Sequence, residues 1–184
     1  MKMDGFMRRF VSREKIRTHL QGIQVQQLQM RDWSPIDDMR LSEKDENVTK
    51  TLNTHLHLLE AYTNLYRVYK NEKLKNDLTD ITTLFLDKFI NEDNHLNLFF
   101  DEKWNLKGHL ISYGHDIESA WLLVEASREL KNEKLISKTE KTAVLIADTF
   151  IIEGLDKDHD VMYEYNPTTG FLDSDKHWWP RRRP

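Results

Sequence analysis

The stretch Lys70-Asn71-Glu72-Lys73-Leu74 recurs unchanged as Lys131-Asn132-Glu133-Lys134-Leu135. The same shift, from Lys70 to Lys131, carries Leu84-Phe85-Leu86-Asp87-Lys88-Phe89-Ile90 onto Leu145-Ile146-Ala147-Asp148-Thr149-Phe150-Ile151, with leucine, aspartate, phenylalanine and isoleucine in register. Self-similarity at a fixed period marks a supersecondary unit used more than once. Working outward from the two pentads, apolar residues fall at three- and four-residue spacing, which predicts helices over 53–70, 75–91, 116–131 and 134–152. Only four prolines and six glycines interrupt the chain, so long helices are expected to survive. Each unit reads as a helical hairpin, followed by a β-prone stretch, 96–100 in the first and 161–165 in the second, expected as a small hairpin or extended loop. The fold class is all-α with short β-hairpins in loops. A helical hairpin cannot bury its apolar face alone, so the units must stack in a solenoid or close into a ring. The repeat by itself does not choose between the two.

Composition narrows the function classes. With 39% apolar and 32% charged residues, the chain suits a single soluble domain rather than a disordered segment. It has no cysteine, so there is no thiolate nucleophile, no zinc–thiolate site and no disulfide framework; a cytoplasmic location is expected. The net charge is −4 and the one basic run, Arg181-Arg182-Arg183, stands at the very end, which argues against nucleic acid. No apolar run approaches the roughly 20 residues that span a bilayer, and no membrane partner is expected.

Chemistry concentrates on the histidines. His57, His115 and His177 are almost evenly spaced, at intervals near the repeat length. In a ring of helix pairs such positions converge on one end of a central cleft. Imidazole titrates nearest neutrality, which suits it to take a proton and return it within one turnover. Glu118 lies three positions after His115, on the same helix face, and is expected to orient the ring. Gly114 is expected to let the chain turn into that helix. The helix N-terminus favours a neutral ring and the carboxylate a charged one. Side chains two apart on a helix point away from each other, so His55 and His57 are not expected to share a metal ion, and no metal site is predicted. Asn53 and His57, four apart, share a face. His177-Trp178-Trp179-Pro180 offers adjacent indoles, whose broad faces suit a pyranose ring. Trp121 is expected to pack against its neighbours.

Four segments together carry a family resemblance: 32–45 (Asp-Trp-Ser-Pro-Ile-Asp-Asp-Met-Arg-Leu-Ser-Glu-Lys-Asp), 53–62 (Asn-Thr-His-Leu-His-Leu-Leu-Glu-Ala-Tyr), Gly114-His115-Asp116-Ile117-Glu118 and Lys176-His177-Trp178-Trp179-Pro180. In this order they resemble the cellobiose 2-epimerases of the N-acylglucosamine 2-epimerase superfamily. The likeness spans 31–180, with 1–30 poorly matched and 181–184 a basic tail. It implies an (α/α)6 barrel and a cofactor-free reaction that inverts C2 at the reducing-end sugar of a β-1,4-linked disaccharide such as cellobiose. In that reaction a histidine removes the C2 proton to give an enediol, and a second histidine reprotonates the opposite face. By motif, His115 corresponds to one of that pair and Glu118 to its partner. His57 corresponds to a residue assisting ring opening, Asn53 to a sugar-binding residue, Trp178 or Trp179 to a stacking surface, and Asp45 to the loop beside the substrate.

The resemblance also sets expectations about extent. It covers the middle of the family's sequence, and no segment here corresponds to the N-terminal sugar-contacting arginine or to the motif that carries the second catalytic histidine. The chain is therefore expected to be a central fragment with an incomplete toroid, prone to self-association through exposed helix faces and of reduced or no activity alone. Two other readings remain. A glycosidase on the same barrel needs two acids spanning a glycosidic bond, for which Asp116 and Glu118 are close in sequence; a helical-repeat module would bind sugar or protein without catalysis.

Overall fold

The computed structural model describes Asp38 and residues 47–176. Helix α1 (Leu52–Val68) and helix α2 (Glu72–Leu84), which continues into a π-helical turn over Phe85–Phe89, form the first hairpin; α3 (Tyr113–Leu130) and α4 (Glu133–Glu153) form the second. The repeated pentad is the hairpin turn itself. Asn71 Oδ1 accepts hydrogen bonds from the backbone N–H groups of Lys73 and Leu74, and Asn132 Oδ1 accepts from Leu135. Each asparagine thus satisfies N–H groups that the first turn of a helix leaves orphaned. Lys131 ends α3 in the left-handed region, at φ 55°, which reverses the chain in a single residue.

Five short strands hold the hairpins in place. β1 (Lys50–Thr51) pairs antiparallel with β2 (Phe99–Phe100), and β3 (Ile111–Ser112), β4 (Glu164–Asn166) and β5 (Phe171–Asp173) form a second sheet in that order. Lys50 lies opposite Phe100, and Ser112 opposite Glu164. In each unit the strand leading into the first helix is therefore pinned by the strand that follows the second. The β-prone stretches expected at 96–100 and 161–165 supply these partners.

One loop recurs three times. Asn91, Asp101 and Asp156 each accept two backbone N–H bonds on a side-chain oxygen, from residues two and four further on. The fourth residue of each loop, Asn94, Trp104 and His159, takes a positive φ of 63–65°. These are side-chain-headed turns of the kind that asparagine and aspartate favour. The shift that carries Asn71 onto Asn132 would carry Asn91 onto Ile152, yet the matching loop begins at Asp156. The second unit has thus gained about one helical turn between those points, and the repeat register changes there.

The core lies between the hairpins. Leu52, Leu56 and Leu59 of α1, Leu78 and Ile81 of α2, Leu122 and Leu123 of α3, and Ile146 of α4 are essentially fully buried. Phe85 and Phe89 join them, with ring centroids 4.6 Å apart. The π-turn, closed by the Ile90 N–H on the Phe85 carbonyl at 3.1 Å, inserts an extra residue into the helix. Burying each ring contributes about 1.5–3 kcal/mol. Ser127 and Thr139 add a buried hydroxyl–hydroxyl bond of 2.7 Å between α3 and α4.

The predicted helices all form, with one displaced boundary that matters. α3 begins at Tyr113 rather than at 116, so Gly114 is a helical, buried residue of the first turn and not the turn into the helix. The chain enters the helix instead through the extended Ser112, whose φ is −120°. Trp121 is 54% exposed and lies over a groove between α3 and α4 rather than in the core. No helix among the described residues is long and apolar enough to cross a membrane.

Candidate active site

The first turns of α1 and α3 lie side by side with β4 against them. Because α1 starts at Leu52 and α3 at Tyr113, the shift that relates the two pentads also holds at the helix starts. It sets Thr54 level with His115 and His57 level with Glu118. His57 and His115 are therefore not equivalent positions, although their separation is near the repeat length; His115 sits about one turn nearer the start of its helix. They nonetheless share one cavity of about 540 Å³, lined by Asn53, His57, Phe99, His115, Glu118, Tyr163 and Glu164 among others. That volume suits a small molecule such as a sugar.

His115 is the best-defined group in it. Its Nδ1 is 2.8 Å from Ser112 Oγ and its Nε2 is 3.3 Å from Asn53 Oδ1. Burial, with the nearby His57 adding to it, brings the ring down to a pKa of about 4, so the imidazole is neutral at physiological pH. It is burial and His57, rather than the helix terminus or a carboxylate, that favour the neutral ring. The ring's hydrogen bonds given by the geometry run to Ser112 and Asn53, while Glu118 faces the same cavity. Burial raises the Glu118 carboxyl, His57 lowers it and Glu60 raises it. His57 is exposed, with Nδ1 3.5 Å from Glu60.

Ser112 is the N-cap of α3, yet its side chain makes no capping bond. In the first unit the equivalent Thr51 does cap, accepting from the Thr54 N–H at 3.3 Å. Diverting a serine from this task forgoes about 1 kcal/mol of helix stability. The hydroxyl goes to His115 instead.

The next residue along α3, Asp116, faces away from the cavity and is 1% exposed. Its Oδ1 accepts the Leu96 N–H at 2.9 Å and its Oδ2 accepts from His95 Nδ1 at 2.7 Å. His95 Nε2 donates to Glu153 Oε2 at 3.2 Å. Burial opposes charge on His95, but the bonds and charges of Asp116 and Glu153 prevail and raise its pKa. This charged cluster fastens the loop after the first hairpin to both helices of the second. His55 is likewise structural. It is buried, with its ring 5.2 Å from that of Phe89 and 5.5 Å from that of Trp104, and its Nδ1 donates to the Thr51 carbonyl at 2.7 Å. His55 and His57 thus point apart.

Of the residues expected in the site from sequence, Asn53, His57, His115 and Glu118 come together, while Asp45, His177, Trp178 and Trp179 lie outside the described residues. Ser112, Phe99, Tyr163 and Glu164 are additions that sequence reasoning missed. A signal for Ser112 is present in the repeat, which aligns it with Thr51; the strand pairing that brings up Glu164 joins distant parts of the chain and leaves no local trace. Among the described residues no cluster of three histidine, aspartate or glutamate side chains is placed to hold a metal ion. A larger groove of about 940 Å³ between α3 and α4 is lined by Trp121, Val124, Ala143 and Val144, with ion-paired arginines and glutamates at its rim. It offers apolar surface but no acid–base pair.

The N-acylglucosamine 2-epimerase (GlcNAc 2-epimerase) family profile matches residues 11–182. A cellobiose 2-epimerase of Bacteroides fragilis is 51% identical over 150 residues, covering 81% of this chain and 38% of its own length. One from Dictyoglomus turgidum is 36% identical over 148 residues, covering 80% and 37%. Among solved structures, the cellobiose 2-epimerase of Bacillus thermoamylovorans superposes with a TM-score of 0.77 at 31% identity, covering 91% of this chain and 44% of that one. A sugar epimerase from a ruminal bacterium gives 0.76 at 33% identity, covering 83% and 39%. The chain thus spans about two fifths of the length of the curated relatives it matches. Its two hairpins are part of an (α/α)6 barrel, and the chain belongs to the N-acylglucosamine 2-epimerase family.

Proposed function

We propose that this chain carries half of the proton-transfer site of a disaccharide 2-epimerase, acting at C2 of the reducing-end sugar of a β-1,4-linked substrate such as cellobiose. The observation that carries this reading is His115, held on both nitrogens at the wall of a cavity of about 540 Å³. A base must be unprotonated at working pH to take a proton, and burial keeps this one so.

In the proposed step the sugar is open and its C2–H bond breaks. The proton passes to His115 Nε2, and the bonding pair forms the C1–C2 double bond of an enediol as the C1 carbonyl oxygen takes a proton from water. Protonation of the opposite face of C2 by a second acid, as the C1 hydroxyl gives its proton back to water and the carbonyl re-forms, inverts the centre. Asn53 contacts sugar hydroxyls, Glu118 is the partner of His115, His57 assists ring opening at the exposed side of the cavity, and Asp45, Trp178 and Trp179 are assigned to sugar binding by the sequence resemblance alone. No cofactor takes part in this scheme, and a cytoplasmic sugar pool suits it. Exposed side chains on the open helix faces, including Trp121, Val144 and Ile152, favour self-association.

The test is incubation with cellobiose and chromatographic detection of glucosyl-mannose, with His115→Ala as control. Product that disappears in the variant supports the proposal; turnover unchanged by the substitution overturns the role of His115.

A further inference from the structure

We infer that Ser112 and Asn53 are paired positioning residues that let His115 hold either neutral tautomer and so make available the Nδ1–H form, whose Nε2 takes the C2 proton and can return it. The use assigned to this pair rests on the epimerase reading, whereas its geometry does not.

Each nitrogen of the ring faces a group that can both give and accept. Ser112 Oγ, 2.8 Å from Nδ1, is a hydroxyl with one donor and two acceptor positions. The Asn53 amide, 3.3 Å from Nε2, carries a carbonyl oxygen and an NH2. In one arrangement Nε2–H donates to the Asn53 oxygen and Ser112 donates to the lone pair of Nδ1. In the other, Nδ1–H donates to Ser112 Oγ and the Asn53 NH2 faces the lone pair of Nε2. Both arrangements satisfy the ring; a carboxylate at either position accepts only and fixes a proton on the nitrogen it faces.

The second arrangement is the one that works as base. The proton from C2 of the sugar arrives on Nε2, leaving a ring protonated on both nitrogens, with Nδ1–H already donating to Ser112. Loss of the Nε2 proton to the enediol carbon, as the C1–C2 double bond gives up its pair to form the new C–H bond, restores the starting tautomer. Ser112 remains an acceptor throughout, and Asn53 turns its amide to follow the proton.

Two further observations set Ser112 apart from an ordinary helix cap. It is fully buried, and it makes no capping bond where Thr51, its counterpart one repeat earlier, does. The side chain at Thr54, level with His115, is a hydroxyl, so the first unit repeats the geometry without the imidazole. There Thr51 Oγ1 bonds Thr54 Oγ1 at 3.0 Å.

The experiment is nitrogen NMR of the full chain with 15N-labelled histidine near neutral pH. In the unsubstituted protein the two His115 ring nitrogens are expected at averaged positions, between those of protonated and bare imidazole nitrogen. In Ser112→Ala they are expected to separate, with the proton settling on Nε2 toward Asn53, and Ser112→Thr is expected to restore the average. Asn53→Asp is expected to shift the proton to Nε2 as well. A single fixed tautomer in the unsubstituted protein overturns the inference without recourse to any variant. So does an unchanged His115 pattern in a folded Ser112→Ala chain. Failure of the epimerase reading shows separately, as no His115-dependent chemistry on cellobiose while these ring signals behave as described.

Discussion

Acid is expected to unfold this protein earlier than a version lacking His115, by an amount the site geometry sets. In the unfolded chain the His115 imidazole titrates near 6.5, whereas in the folded site it titrates at about 4. The folded state therefore resists taking up the proton, because burial strips water from the charged ring and His57 stands nearby. The folded value is the lower one, so the stability tied to the neutral ring is fully present above pH 6.5. It is lost progressively as the pH falls through the folded value. The interval corresponds to about 3 kcal/mol, at about 1.36 kcal/mol for each pH unit, a large share of the about 5–15 kcal/mol that holds a domain together. The assay is urea denaturation followed by circular dichroism at a series of pH values, for the unsubstituted chain and for His115→Gln. All other carboxylates and histidines titrate in both proteins, so the difference between the two stability curves isolates this ring. It should grow by about 3 kcal/mol in favour of the variant between pH 6.5 and 4 and below, and His57→Gln should shrink it. Parallel curves across that range would show that the ring is hydrated in the folded state and that the neutral-base reasoning is mistaken.

Other substitutions follow from the packing. Asp116→Asn removes the charge that faces His95 and weakens a buried cluster joining the two hairpins, so a loss of about 3–5 kcal/mol is expected in thermal or urea unfolding. Phe89→Ala empties the aromatic cluster formed with Phe85, Phe100 and Trp104, with an expected cost of about 3–5 kcal/mol by the same measurement. Arg67→Ala breaks contacts with Glu125 and Glu129 at the partly exposed edge between α1 and α3. It should cost less than about 1 kcal/mol, and less still in high salt.

The helical hairpins were legible because their signals are local. An asparagine cap followed by an amphipathic run is written within a few residues, and its recurrence at Asn71 and Asn132 marks the unit. The start of α3 was less clear, since Tyr113 and Gly114 carry little helical signature and the cap, Ser112, has its hydroxyl turned to His115. The spacing of the histidines pointed to a shared cavity by an inexact route. His57 and His115 face one cavity, but the true repeat register pairs His57 with Glu118, and only the helix boundaries reveal this. The Asp116–His95–Glu153 cluster was not legible, because its members come from a loop, a helix start and a helix end brought together only by the finished packing. The same holds for Tyr163 and Glu164, which reach the site through the pairing of β4 with Ile111 and Ser112.

The central claim is that His115 takes the proton from C2 of a reducing sugar. The most direct measurement is proton–deuterium exchange at C2 of cellobiose in deuterated buffer, followed by proton NMR, since abstraction and return on one face can be seen even without inversion. Loss of the C2 proton signal with the unsubstituted chain, abolished in His115→Ala while the fold is retained, is the predicted result. No exchange above the protein-free rate, or exchange that persists undiminished in His115→Ala, would contradict it.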